Sequence, residues 1–504
     1  MQHFDIKKMK RRDFLKLMGQ ITSVPLMSAM SELAYGAGPY NDYKALVCVF
    51  LFGGNDSHNM IVPLDAARFA DYTKNRGPLA IPLANFAANT VTDAAQGSFG
   101  FHPRMTQVSA LFRSQKLAVV SNVGVILQPT SLANYKNKVN LPPQLFSHSD
   151  MQEHWHTANP KAPVTTGWGG RLADMIQTAN TGQLSVSIST ASSSIFLKGS
   201  SAVAIPNVAH QIGSYRTDPK STIVQRITAW RDWDTNATTG ANSQAVYQNS
   251  ITMLRSNKLE DQFGDVATRS VELNNLILNT LYTGKDASGN YIQSHPINTV
   301  FPAGNPLASQ LRSVAMMIAN RQALGVKRQI FFVSVGGSFD THSDQLDTST
   351  STLKPGAGET PTIYGKHADL LGQLDGALKA FYDATVELGV QNNVTTFTES
   401  DFSRTLTSNG KGSDHGWGSH HMVMGGAVKG GKIYGQFHNM KINTSALPSN
   451  NPFDSGQGRL IPVTSADQYA ATLSKWMSNA SVGELNTIFP NLVNFGSATD
   501  VGFL

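Results

Sequence analysis

The chain is poor in several features that often declare a protein's class. It has a single cysteine, Cys48, so no disulfide can form within the chain and the core must hold the fold. Beyond the N-terminal region it has no run of about 18 apolar residues, so no segment there reads as a membrane-spanning helix or stable anchor. Charge is sparse at 15%, and no basic stripe is interleaved with aromatics, which removes support for nucleic-acid binding. Internal repeats, low-complexity tracts and heptad-spaced apolar residues are also missing, so no coiled-coil partner is indicated and the oligomeric state stays open. What is present is an ordinary globular composition, 40% hydrophobic with 43 Gly and 22 Pro over 504 residues, enough for one large core or two modest ones.

The formal net charge of +6 is partly an N-terminal effect, since residues 1–37 hold six Lys/Arg against three acids. Lys10-Arg11-Arg12-Asp13-Phe14-Leu15-Lys16 precedes a modest apolar stretch, Leu17–Met30, and then small residues around Ala34–Ala37. Gly19, Gln20, Thr22, Ser23 and Pro25 make that stretch too polar to span a bilayer. The arrangement is that of a twin-arginine (Tat) signal peptide over residues 1–37, with the Tat translocase as partner and a periplasmic or secreted destination. Residues 38–504 then read as one soluble α/β domain with surface insertions.

The continuous β-prone run Ala45–Phe52 ends in Gly53-Gly54-Asn55-Asp56, as a buried parallel strand passes into a loop. Lys116–Val125 reads as a second core strand after a short helix near Arg104–Phe112. Pro142–Arg171 reads as a loop and helix packed against a site. Apolar residues recur at helical spacing over Ala245–Tyr282, Leu307–Leu324 and His367–Leu388, and the strands Gln329–Val335 and Asn393–Thr398 follow the last two patterns in turn. Lys285–Val300, Asp347–Thr362 and Asn443–Gly458 read as loops. Helix, strand and polar loop in alternation predict a three-layer α/β/α sandwich around a mostly parallel sheet.

Three strands end in acids, Asp56, Asp340 and Asp401, and ligands of open α/β folds sit beyond the carboxyl edge of the sheet. Histidines supply a second donor class in Asp340-Thr341-His342, Asp414-His415 and His420-His421. Carboxylate mixed with imidazole suits zinc, manganese or iron, whereas a mainly carboxylate site would suit calcium or magnesium. A lone acid or histidine after a strand more often caps a turn. His102, His367 and His438 are accordingly given structural roles.

The motifs Gly53-Gly54-Asn55-Asp56, Phe339-Asp340-Thr341-His342, Ser400–Thr405 and Gly412–Gly416, followed by His420-His421 and Gly425–Gly431, resemble those of domain-of-unknown-function family 1501, over roughly Ala45 to Phe495. That family is commonly Tat-exported and is grouped with alkaline phosphatases and sulfatases. The resemblance implies an alkaline-phosphatase-like fold and a two-metal site, zinc first and manganese, calcium or magnesium as alternatives, acting on an anionic phosphate or sulfate ester. In it Asp56 resembles the first-strand ligand, Asp340 with His342 the pair of one metal, Asp414 with His415 the pair of the other, and His420 or His421 the closing histidine. Asp401 stands where the superfamily usually has Glu, and reads either as a ligand or as a support anchored by Arg404.

Ser147, before a helix, is the expected nucleophile. Ser57 is its competitor, and attack by water at the metal is the alternative to both. Arg171 and Arg404 are candidate clamps for an ester oxygen. The chemistry expected is ester hydrolysis outside the cytoplasm; the rival reading is a metal-stabilised binding protein of the same fold.

Overall fold

The structure is a computed structural model that describes residues 40–161, 164–199 apart from 183, 192 and 193, 210–211, 276–287 apart from 278, and 291–504 apart from 350, 352, 357–358 and 449. The expected signal peptide and most of the helical stretch 245–282 lie outside the described residues. In chain order the strands are β1 (Lys44–Leu51), β2 (Ile61–Pro63), β3 (Thr90–Asp93), β4 (Gly97–Phe101), β5 (Leu117–Gly124), β6 (Ser187–Ser189), β7 (His210–Gln211), β8 (Tyr282–Lys285), β9 (Tyr291–Gln293), β10 (Arg328–Ser334), β11 (Val394–Ser400), β12 (Ser419–Met424), β13 (Ile433–Tyr434) and β14 (Thr464–Ser465). The helices that frame the site are α1 (Ser57–Met60), α2 (Ala66–Arg76), α3 (Thr106–Arg113), α4 (His148–Thr157), α5 (Trp168–Ile176), α6 (Pro306–Ala319), α7 (Lys366–Glu387) and α8 (Ala466–Ser478).

The central sheet runs β13-β5-β12-β11-β1-β10-β6-β7, with β14 beside β5. β1 lies at its centre, parallel to β10 and β11, so that Cys48 faces Phe332 on one side and Phe397 on the other. Residues Ala45–Leu51 are at most 1% exposed. Their side chains alternate between two cores, Ala45, Val47, Val49 and Leu51 in one and Leu46, Cys48 and Phe50 in the other. A strand buried on both faces reads as an unbroken apolar run, which is how β1 reads in the sequence. Full burial of one Val, Leu or Phe stabilises by about 1.5–3 kcal/mol. Helices α3, α6 and α7 cover the first face through Leu111, Leu311 and Leu374, and α4, α5 and α8 cover the second through Trp155, Trp168 and Tyr469. The expected three-layer α/β/α architecture is the one observed.

Helix starts follow their sequences. Asn305 caps α6, with Pro306 at its first position, and Ser465 with Gln468 forms a capping box on α8. The expected helix Leu307–Leu324 stops earlier, at Ala319, because Asn320 and the following turn close it. Lys285–Val300, expected as loop, contains β9, paired with β8. Among the described residues no helix is long and apolar enough to cross a membrane.

One strand departs from the parallel pattern. β12 is antiparallel to both β11 and β5. An antiparallel neighbour needs no crossover, so residues 401–418 leave β11 and re-enter β12 at the same edge of the sheet. Asp401, Arg404, Asp414 and His415 all lie on that return.

Candidate metal centre

Four loops meet at the carboxyl edge. After β1 the chain turns through Gly53 and Gly54, at φ 101° and 78°, a region glycine enters without strain. A Cβ on Gly53 would stand 2.4 Å from the Asp340 nitrogen, and one on Gly54 would stand 2.4 Å from the Phe402 ring. These two glycines let the β1 loop press against those of β10 and β11. The return after β11 folds on itself, with Arg404 opposite His415 in an antiparallel bridge and Gly416 N donating to Ser403 O at 2.7 Å. The long connection after β5 ends at the N-terminus of α4, whose first residue is His148.

This packing brings His148, Asp340, His342 and His415 together, with one donor atom from each inside a group 4.8 Å across. The Nε2 atoms of His342 and His415 are 2.6 Å apart. Asp340 Oδ1 lies 3.1 Å from His342 Nε2 and 3.9 Å from His415 Nε2, while its Oδ2 lies 3.4 Å from His148 Nε2. The ring of Phe402 forms the floor, 4.8 Å from that of His148 and 4.5 Å from that of His415. Asp340 and His342 remain 37% and 40% exposed, so the cluster opens to solvent on one side.

The outer contacts fix which nitrogens face inward. His148 Nδ1 donates to Asp401 Oδ2 at 2.7 Å, which leaves Nε2 as the inward lone pair, buried and without a hydrogen-bond partner. His415 Nδ1 donates to the Phe146 carbonyl at 2.6 Å, with the same consequence. Carboxylate or carbonyl behind imidazole is the arrangement that orients metal-binding histidines. Burial, then the nearby Arg404, His148 and His342, push His415 down to about 4, so its ring is neutral and able to ligate. Burial would raise the Asp340 carboxyl, but the hydrogen bond and charge of Arg404 outweigh it and hold it below the usual range. Three imidazoles and one ionised carboxylate can hold a divalent metal ion.

The other sequence candidates lie around this centre or away from it. Asp401 supports His148; it also accepts from Gln152 at 2.9 Å and from Gly53 N at 3.2 Å, and it does not contact Arg404. Arg404 is fully buried; it donates to Asp340 at 2.6 Å and to the carbonyls of Gly53, Gly54, Phe339 and Ser413, so it positions Asp340 from within the fold. Asp414 stands behind the cluster, 3.8 Å from His342 Nδ1, accepting from Arg459 at 2.7 Å. Ser147 occupies the N-cap position of α4 beside His148 without a side-chain capping bond; its hydroxyl donates to Asp150 instead.

Other expected site residues lie outside the four-residue cluster. Asp56 is fully buried and pairs with Arg76 and, at 2.6 Å, with Gln345, so its charge is already compensated outside the four-residue group. His420 and His421 are consecutive on β12, where its register with β5 shifts, and their rings enter different cores. His420 stacks on Phe437 at 4.3 Å in one core, and His421 packs against Trp155 at 5.0 Å in the other. Arg171 spends its donors on the carbonyls of Thr157, Thr166 and Ile488. Ser57, the second candidate nucleophile, is buried and hydrogen-bonded to Ser403 at 2.9 Å.

His148 is the member that sequence reasoning passed over. Its signal was position: the first residue of a helix after a core strand and polar loop, next to the serine singled out as nucleophile.

No match was found among curated proteins. Among solved structures, the chain is similar to the integral membrane protein lipooligosaccharide phosphoethanolamine transferase A of Neisseria meningitidis, at 9% identity and TM-score 0.32, covering 97% of this chain and 68% of that one. It is also similar to a sulfatase of Bacteroides thetaiotaomicron from a locus for metabolism of multiple glycosaminoglycans, at 10% identity and TM-score 0.32, covering 89% of this chain and 74% of that one. Residues 43–452 match the family described as "Protein of unknown function (DUF1501)", and the chain belongs to that family.

Proposed function

We propose that the protein is a metal-dependent hydrolase of phosphate or sulfate esters, alkaline-phosphatase-like in fold, exported by the Tat translocase through Lys10–Lys16 to the periplasm or beyond. The observation that carries the reading is the convergence of His148, Asp340, His342 and His415 on one open point at the carboxyl edge of the sheet. The donor set fits a metal: His148 Nε2 is a buried nitrogen with no hydrogen-bond partner, and two Nε2 atoms face each other at hydrogen-bond distance. A nitrogen-rich set favours zinc, manganese or iron over calcium or magnesium. Among the described residues it is the one such donor group, which supports a single ion there in place of the expected pair.

A divalent ion in this site supplies Lewis acidity toward an ester oxygen and a lowered pKa for a coordinated water. The chain supplies orientation. Asp401 and the Phe146 carbonyl hold two imidazoles in the ligating tautomer, Arg404 keeps Asp340 ionised, and the exposed side of the cluster admits an anion. The Ser147 hydroxyl is engaged with Asp150, which favours attack by water over attack by this serine. The same fact supports the second reading, a metal-stabilised binding protein without turnover.

The test is metal analysis of the purified protein, then turnover of aryl phosphate and aryl sulfate by wild type and His415→Ala. We expect bound divalent metal and turnover of one ester, with His415→Ala losing metal and at least about a hundredfold in rate, as removal of a ligand implies. Bound metal with neither ester turned over would support the binding reading.

A further inference from the structure

Beside the metal cluster, the stretch Tyr135–Phe146 encloses an open cavity of about 510 Å³, lined chiefly by Tyr135, Lys136, Lys138, Leu141, Leu145 and Phe146. The cavity adjoins the cluster through Phe146, which lines it and whose carbonyl accepts from His415 Nδ1. The backbone of this stretch is held in strained form: Lys138, Asn140, Gln144 and Phe146 have φ of 53°, 51°, 50° and 72°. Such conformations are strained for residues other than glycine and concentrate at ligand clamps. The surroundings hold them in place. His154 Nε2 donates to Pro143 O at 3.0 Å, Asn140 Nδ2 donates to Gln128 at 2.8 Å, and Trp417 lies beneath, 5.8 Å from the ring of Tyr135 and 6.3 Å from that of Phe146. Residues 131–146 contain two lysines, both exposed, and no acid.

We infer that this cavity receives the alcohol portion of the ester, and that this portion combines an apolar ring or chain with a negative charge. The inference rests on the ester-hydrolase reading and adds the substrate class to it. With the ester group at the metal cluster, the rest of the molecule leaves past Phe146 onto Tyr135, Leu141 and Leu145. Lys136 and Lys138 then meet an anionic substituent at the rim. A fixed loop accepts such a group without first having to be ordered, which is what preorganisation contributes to binding.

The test compares phenyl and 4-carboxyphenyl esters, as phosphates and sulfates, with the metal-loaded full chain. Exposed ion pairs are weak, so we expect a KM about fivefold lower for the carboxylated ester. That preference should vanish in the Lys136→Ala/Lys138→Ala variant, with kcat for the phenyl ester unchanged. It should also shrink in 1 M salt, where screening acts over about 3 Å. Equal KM values in wild type, or a preference that survives in the double variant, overturn the inference. Absence of turnover with both esters counts against the hydrolase reading instead. The cavity is then read by binding of phenylphosphonate and 4-carboxyphenylphosphonate, followed by tryptophan fluorescence: tighter binding of the carboxylated compound, lost in the double variant, upholds the inference, and equal affinities overturn it.

Discussion

Two groups of acids and histidines lie at the same edge of the sheet, and they have opposite characters. In the open group, His148, Asp340, His342 and His415 direct donor atoms at one point and keep partial access to solvent. In the closed group, Asp56, His58, His102, His367 and His420 are at most 2% exposed. Asp56 is paired with Arg76, His367 shares a hydrogen bond with Asn55 at 3.0 Å, and His58 meets His420 edge-on at 5.5 Å between ring centres. Both groups have residue types that chemistry can use. What separates them is exposure and charge pairing: the closed group is shut away from solvent around the Asp56–Arg76 pair, whereas the open group turns three imidazoles toward one carboxylate at a solvent-accessible point.

The largest expected effect comes from pH, which acts on the closed group together with the other buried histidines. Burial pushes His102, His156 and His421 down to about 3, and His58, His367 and His438 down to about 4. Burial takes His420 well below its ordinary value of 6.5 too. Folded, these rings are neutral; unfolded, they bind a proton below pH 6.5. Their stability is therefore complete above 6.5 and is withdrawn as pH falls toward 4, at roughly 1.4 kcal/mol per pH unit for each ring. Burial raises Glu399 to about 8, Asp467 to about 7 and Asp375 to about 6, and these three carboxyls gain stability over part of the same fall. With His415 of the open group, also pushed down to about 4, eight histidines outnumber three carboxyls, so the metal-free protein should lose several kcal/mol between pH 7 and pH 5 in urea denaturation. A flat or rising profile over that window would show that the rings are not buried neutral.

A single substitution should separate the groups next. Asp56→Ala leaves Arg76 charged, fully buried and without its carboxylate, a change that costs about 3–5 kcal/mol. Asp340→Ala in the metal-free protein leaves Arg404 with four backbone carbonyls and removes a carboxylate that is 37% exposed, so about 1 kcal/mol is expected. Denaturation midpoints of the two variants decide it. Equal losses would mean that the open group is as much a part of the stabilising core as the closed one.

The fold was legible because β1 and the middle of β10 are buried on both faces and advertise this as apolar runs, because β11 is rich in β-branched Val and Thr, and because α6 and α7 hold helical spacing over many residues. β12 was not legible as antiparallel: its direction depends on which edge residues 401–418 return to, and no local pattern carries that. The site was legible at Asp340, His342 and His415, where acid and histidine share short loops after strands. It was not legible at Asp56, since Arg76 lies a helix away in sequence and their pairing exists only in three dimensions. The adjacent His420 and His421 carried a usable warning, because neighbours on a strand point to opposite faces and cannot both serve one ion.

The smallest expected effect is also the one most specific to the comparison. Asp401 and Asp56 are both fully buried carboxylates, one behind the His148 imidazole and the other behind an arginine. Asp401→Asn keeps the shape but removes the charge that holds the proton on His148 Nδ1 and makes Nε2 a better donor. Loss of such a partner weakens metal affinity about 10–100-fold. Asp56→Asn removes as much charge but touches no member of the open group, so its metal affinity should match wild type wherever the variant folds. Zinc titrations on the folded variants, followed by calorimetry, compare the two directly. If Asp56→Asn weakens zinc as much as Asp401→Asn does, the two groups form one centre and Asp56 belongs among its ligands after all.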